Sequence, residues 1–89
     1  MHCEKDVIVT NRVGLHTKPL TAFICRSHLF KSSIQIKKDE KLVNGKSLFC
    51  VLGLEVLQGD TITLIADGDD AEKAIEELSS LIESNFDNV

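Results

Sequence analysis

Residues 61–82, TITLIADGDDAEKAIEELSSLI, predict a β-strand followed by an amphipathic helix. Every second residue of 62–66 is apolar, which is the period of a strand with one buried face. Asp69, with Glu72 three residues later, resembles a capping box at the start of the helix. Apolar residues then recur three and four positions apart and predict one buried helix face. They are Ala71, Ala74, Ile75, Leu78, Leu81 and Ile82.

Further elements precede this pair. Alternation and β-branched residues predict strands at residues 6–10, 33–37 and 41–43. A helix is predicted from Pro19 to about His28, and a shorter one at residues 48–52. The order is therefore βαββαβα. It predicts an α/β (α+β) open-faced sandwich, a four-stranded, mostly antiparallel sheet covered on one face by three helices.

Composition narrows the function classes. With 89 residues, the chain forms one small domain with little room for an enclosed cavity, so any chemistry is expected at the surface. A net charge of −4 without a basic stripe argues against nucleic acid, and no apolar run is long enough for membrane insertion. The three cysteines form no C-x-x-C pair. Disulfides and a metal site are therefore not expected, and the compartment is expected to be the cytoplasm. Cys25 and Cys50 lie within apolar segments and are interpreted as small core residues.

His16 lies in the loop that leads into the helix predicted at Pro19. The first turn of a helix has unpaired N–H groups and a partial positive charge, which favour an anion and a neutral imidazole. A phosphoryl group on His16 would face the backbone N–H groups of Thr17 and Lys18, with the positive Lys18 side chain nearby. On these grounds alone, His16 is either an anion-linked nucleophile or a structural histidine.

The segment Gly14-Leu15-His16-Thr17-Lys18-Pro19 resembles the active-site signature of HPr, the histidine-containing phosphocarrier of the bacterial phosphoenolpyruvate–sugar phosphotransferase system. The resemblance covers nearly the whole chain and includes Asn44-Gly45-Lys46-Ser47 and the turn at Gly59-Asp60. It implies one HPr-like domain over residues 1–89. In it, the δ nitrogen of His16 receives a phosphoryl group from enzyme I and passes it to enzyme IIA domains. It also implies a carrier rather than a stand-alone enzyme, with no cofactor.

The chain departs from the family pattern next to the histidine. The usual arginine two residues after it is Lys18, and alanines common in the family are replaced by Thr17 and Leu20. A lysine keeps the positive charge but lacks the planar fork of a guanidinium. The substitution therefore bears on the transfer rate and on partner affinity.

Ser47 precedes the short helix and has two interpretations. It can be an N-cap, the common role of a serine at this position. The resemblance implies a second role, because HPr proteins of some bacteria are phosphorylated here by a regulatory serine kinase/phosphorylase. A phosphate at a helix start is electrostatically favourable, so the modification would leave the fold intact.

The short helix carries more apolar surface than one buried face needs. Its spacing places Val51 and Leu54 together and turns Leu48 and Leu52 away, with Phe49 alongside. The pattern alone leaves open whether all of them are core residues. The resemblance favours Leu48, Phe49 and Leu52 as a docking patch for partner proteins.

Two alternative functions stay open. The chain could be mainly a regulatory module, in which phosphorylation of Ser47 controls binding to a transcriptional regulator and His16 carries little flux. It could also be an unrelated sandwich enzyme such as a small phosphatase, although no acidic pair or arginine-rich phosphate loop indicates one. A monomer is expected in each case.

Overall fold

The computed structural model describes residues 1–87 and has one sheet of four strands with three helices. The elements are β1 (His2–Ile8), α1 (Thr17–Ser27), β2 (Ser33–Lys38), β3 (Lys41–Asn44), α2 (Leu48–Gly53), β4 (Thr61–Asp67) and α3 (Ala71–Glu83). The predicted βαββαβα order and open-faced sandwich are confirmed. Within these residues, no helix is both long enough and apolar enough to cross a bilayer.

The sheet has the strand order β1-β4-β2-β3, and every neighbouring pair is antiparallel. The alternation predicted for β2 and β4 is confirmed, since their inward-facing residues are fully covered. These are Ile34, Ile36, Ile62, Leu64 and Ala66. Helix α3 packs on β1 and β4, α1 packs against α3 and α2, and α2 packs on β3. The core therefore lies between one face of the sheet and the helices.

Helix α3 buries all six residues of the predicted stripe. Its predicted capping box is wrong, because the N-cap is Asp70 rather than Asp69 and makes no side-chain cap bond. The Asp70 carboxylate instead accepts hydrogen bonds from the backbone N–H groups of Lys31 and Ser32 and from the Ser32 hydroxyl. A tertiary contact with the start of β2 thus replaces the local cap.

Strand β1 begins four residues earlier than predicted. It pairs with β4 along its whole length, from His2 opposite Asp67 to Ile8 opposite Thr61. Because residues 2–6 are mostly polar and lie at the sheet edge, their sequence carries little strand signal. Backbone pairing with β4 decides their conformation.

The interpretation of Cys25 and Cys50 as core residues is wrong, because both are exposed. Cys25 lies two positions after the buried Phe23 on α1, and two positions correspond to about 200° around a helix. Cys50 directly precedes the buried Val51. Both thiols therefore belong to helix faces that point away from the core.

Candidate functional site

A tight turn holds the chain directly before His16. The backbone N–H of Gly14 donates to the Asn11 carbonyl at 3.2 Å, and the Asn11 side-chain Nδ2 donates to the Gly14 carbonyl at 2.7 Å. Gly14 has a φ of +64°, and a Cβ at this position would collide with the Val56 carbonyl oxygen. The next N–H, of Leu15, donates to that same oxygen at 3.0 Å. Glycine is required here for both conformation and space.

His16 is the N-cap residue of α1, with extended backbone and a half-buried side chain. Its Nδ1 lies 3.0 Å from the backbone carbonyl oxygen of Val13. A carbonyl oxygen can only accept a hydrogen bond, so Nδ1 is the protonated nitrogen in this arrangement. The neutral ring then has its lone pair on Nε2. The nitrogen that the resemblance implies as phosphoryl acceptor is thus engaged with Val13.

The start of α1 presents donors next to this ring. The helix begins at Thr17, two residues before the predicted start at Pro19. The backbone N–H groups of Thr17 and Lys18 have no acceptor within residues 1–87, and Pro19 has no N–H to offer. The Lys18 side chain is exposed and forms no ion pair with any residue of that range. Two N–H groups and one ammonium are therefore available to an anion on His16.

Thr17 has a strained backbone. Its φ is +51°, a left-handed value that is unusual for a β-branched residue. Such a residue costs about 1–3 kcal/mol and persists only where its surroundings hold it. Here the turn that ends at Gly14 lies on one side and the helix, which continues through Lys18, on the other. The strained backbone is therefore that of Thr17, the residue directly after His16.

Ser47 is the N-cap of α2, as predicted, and its Oγ accepts a hydrogen bond from the Cys50 N–H at 3.3 Å. His28 lies just beyond the end of α1, and its Nε2 is 2.9 Å from the backbone carbonyl oxygen of Lys46, the residue before Ser47. His16 and Ser47 therefore lie at opposite ends of α1. Since α1 has 11 residues, its length separates them by roughly 16 Å.

The docking residues predicted on α2 are exposed. Phe49 is 80% exposed, and Leu48 and Leu52 are partly exposed, whereas Val51 and Leu54 are buried. The helix packs beside α1, and the segment after it reaches the His16 loop through the bond from Leu15 to Val56. The apolar patch of Leu48, Phe49 and Leu52 is thus adjacent to the helix that His16 caps.

Three residues of this region had no predicted role. They are Asn11, Val13 and Val56. Asn at the first position of a β-turn with Gly at the fourth is a recognisable turn signal. The contact of Val56 with Gly14 has no sequence signal, because 42 positions separate the two residues.

A metal centre is not formed by the side chains of residues 1–87. No group of three or more His, Cys, Asp or Glu residues in that range is placed to hold a metal ion.

The comparisons with known proteins agree on one family. The family model described as the PTS HPr component phosphorylation site matches residues 3–84. The phosphocarrier protein HPr of Buchnera aphidicola is 43% identical over 79 residues, covering 89% of this chain and 93% of the relative. The HPr-like protein Crh of Halalkalibacterium halodurans is 41% identical over 80 residues, covering 90% of this chain and 95% of the relative.

A solved structure supports the same assignment. The crystal structure of HPr-C-His from Thermoanaerobacter tengcongensis matches with a TM-score of 0.93 at 42% identity, covering 94% of each chain. The match extends over the sheet, the helices and the loop that carries His16. On these grounds the chain belongs to the HPr family, the phosphocarrier proteins of the phosphoenolpyruvate–sugar phosphotransferase system.

Proposed function

We propose that His16 accepts a phosphoryl group from enzyme I and passes it to enzyme IIA domains. The observation that carries this proposal is the position of the His16 ring at the start of α1, beside the unpaired N–H groups of Thr17 and Lys18. A phosphoryl group adds negative charge where these donors and the helix dipole favour it. Membership of the HPr family supports a phosphocarrier role for the chain.

The transfer step follows from the chemistry of imidazole. The lone pair of Nδ1 attacks phosphorus, the bond between phosphorus and the donor enzyme breaks, and its electron pair leaves with the donor. Because Nδ1 carries a proton that it shares with Val13 at rest, that proton must leave first and the ring must be protonated at Nε2 instead. The N–H groups of Thr17 and Lys18 and the Lys18 ammonium then stabilise the new dianion.

The chain would act as a carrier rather than as an enzyme on its own. Its exposed apolar patch of Leu48, Phe49 and Leu52 would contact each partner in turn, and each partner would complete the active site around His16. This arrangement suits a small protein with its reactive group at the surface. The monomeric state and the cytoplasmic location remain predictions.

A phosphotransfer assay tests the role of His16. With phosphoenolpyruvate and enzyme I, the wild-type chain should gain one acid-labile phosphoryl group and His16→Ala none. His28→Ala is the matched control, since His28 also lies at an end of α1 and also bonds a backbone carbonyl through one ring nitrogen. Full phosphorylation of His16→Ala, or loss of phosphorylation in His28→Ala alone, would show that the wrong histidine has been chosen.

Phosphorus-31 NMR of the same product identifies the acceptor atom. The two phosphohistidine isomers differ in chemical shift, and the proposal expects phosphorus on Nδ1. Phosphorus on Nε2 would instead fit a transfer in which the bond between Nδ1 and Val13 stays intact. That result would keep the carrier function and overturn the choice of nitrogen.

A second candidate function is regulation through Ser47. It is favoured by the position of the Ser47 hydroxyl at the start of α2 beside the exposed patch, and by similarity to the HPr-like protein Crh. A serine kinase/phosphorylase of the HPr type should modify wild type but not Ser47→Ala, with Ser33→Ala as the exposed-serine control. Tight binding of the phosphorylated chain to a transcriptional regulator, together with slow transfer from His16, would make regulation the main function.

A further inference from the structure

We propose that Asn11 is a positioning residue for His16. It holds the peptide unit between Val13 and Gly14 so that the resting imidazole carries its proton on Nδ1 and its lone pair on Nε2. Asn11 does not touch the imidazole in this arrangement. It acts through the backbone that lies between them.

The first link is the peptide unit between Val13 and Gly14. In a trans peptide, the N–H and the C=O point in opposite directions. The N–H end, on Gly14, donates to the Asn11 carbonyl at 3.2 Å, and the C=O end, on Val13, faces Nδ1 of His16 at 3.0 Å. Hydrogen bonds at the two ends of one peptide unit polarise each other. The orientation of the Val13 carbonyl is therefore tied to Asn11.

The second link is the next peptide unit, between Gly14 and Leu15. Its C=O accepts from Nδ2 of Asn11 at 2.7 Å, and its N–H donates to the Val56 carbonyl at 3.0 Å. The two units share the α-carbon of Gly14, which lies against Val56 without space for a side chain. Fixing the second unit restricts rotation of the first. The Asn11 side chain thus holds one end of a peptide unit whose other end is bonded to Val56.

The burial of Asn11 shows which part of its side chain is used. The residue is 8% exposed, and its Oδ1 has no hydrogen-bond partner within residues 1–87. Burying an unpaired acceptor is unfavourable. The amide is oriented nonetheless with Nδ2 toward the Gly14 carbonyl, because the opposite orientation would bring two acceptor oxygens together. The donor function of Asn11 is therefore the one that this turn requires.

The consequence for phosphoryl transfer rests on the proposed function, whereas the resting tautomer does not. While Nδ1 donates to Val13, it has no lone pair with which to accept a phosphoryl group. Acceptance at Nδ1 then begins with release of the ring from Val13. Asn11 sets how firmly the undocked protein holds the ring in the non-accepting tautomer.

Nitrogen-15 NMR of the histidine ring measures this tautomer directly. In wild type, at a pH where His16 is neutral, Nδ1 should have the shift of a protonated nitrogen and Nε2 that of a nitrogen with a lone pair. In Asn11→Ala, the ratio of the Nδ1–H to the Nε2–H form should fall about fivefold, the effect of losing one neutral hydrogen bond. Thr10→Val is the control, because it removes the neighbouring bond from Thr10 to Asn85 without touching the turn.

Two results would overturn the proposal. One is an Nε2–H tautomer at His16 in wild type, which requires no variant and so does not depend on the folding of Asn11→Ala. The other is an unchanged tautomer ratio in Asn11→Ala, or in Asn11→Asp, which keeps the side-chain shape but cannot donate to Gly14 as a carboxylate. Failure of enzyme I to phosphorylate the chain would contradict the proposed function and leave the tautomer ratio as it is.

Discussion

Replacement of Phe49 by alanine should weaken partner binding strongly while leaving the fold nearly intact. Phe49 lies on α2 and is 80% exposed, so little of its surface contributes to the core. A covered aromatic side chain buries about 150–250 Å², and the exposed part of Phe49 therefore offers roughly 120–200 Å² to a partner. At about 25 cal/mol per Å², that area corresponds to ~3–5 kcal/mol.

The cost of ordering the side chain reduces this figure. Fixing one side chain at an interface costs about 0.5–1.5 kcal/mol, which leaves a net loss of ~2–4 kcal/mol for Phe49→Ala. At about 1.4 kcal/mol for each tenfold change, the Kd for enzyme I should rise roughly 30- to 700-fold. The free energy of unfolding should change by less than about 1 kcal/mol, as expected for an exposed residue.

Titration calorimetry with unphosphorylated enzyme I measures the Kd, and urea denaturation measures the stability. Leu42→Ala is the matched control, since Leu42 is 52% exposed on β3, outside the patch on α2. Val51→Ala gives the opposite contrast, because this fully buried residue of α2 should cost about 2–3 kcal/mol of stability. A Kd for Phe49→Ala equal to that of Leu42→Ala would refute the docking role of α2.

Three further predictions concern the charge beside His16, the start of β2 and the turn before the site. Lys18→Gln should slow phosphoryl acceptance by His16 roughly tenfold in single-turnover assays, because it removes a charged donor. Lys18→Arg keeps the charge and should match or exceed the wild-type rate. Equal rates in wild type and both variants would show that Lys18 has no role in the transfer. The hydrogen bond from the Ser32 hydroxyl, with the backbone N–H groups of Lys31 and Ser32, lowers the pKa of Asp70 from 3.8 to about 2. Its stabilising contribution is therefore complete above pH 3.8 and lost as the pH falls toward 2, and Asp70→Asn should flatten this part of the acid denaturation curve. Gly14→Ala should cost more than about 1 kcal/mol in urea denaturation, because the residue needs a positive φ and lies against Val56; wild-type stability would contradict the strain assigned to this position.

Local periodicity was sufficient for most of the fold. The apolar stripe of α3 and the alternation in β4 each fix which face is buried, because the side-chain period of an element depends only on its own backbone. The spacing around α2 grouped Val51 with Leu54, and both are buried, but it left open whether Phe49 is a core residue, and Phe49 is exposed. In these segments, local preference and tertiary burial agree.

Other elements depended on partners far away in the chain. The first residues of β1 are strand because β4 lies beside them. The Asp70 side chain makes no cap hydrogen bond to α3, because its carboxylate accepts from Lys31 and Ser32 instead. Cys25 and Cys50 occupy apolar stretches, yet the helix rotation that puts them outside is set by neighbouring core residues. A short stretch of sequence does not include these distant partners, so their effect cannot be predicted from it.

The residues of the candidate site could be named from the amino-acid sequence: a histidine before a helix, followed by Thr17 and Lys18, with Ser47 at the start of a second helix. Their arrangement came from the folded chain, which places His16 and Ser47 at opposite ends of α1 and engages one ring nitrogen of His16. A helix near these residues can be recognised from the neighbouring sequence, whereas the position of a proton on His16 depends on where the Val13 carbonyl points. That direction is fixed by the contacts of Gly14 with Asn11 and the distant Val56.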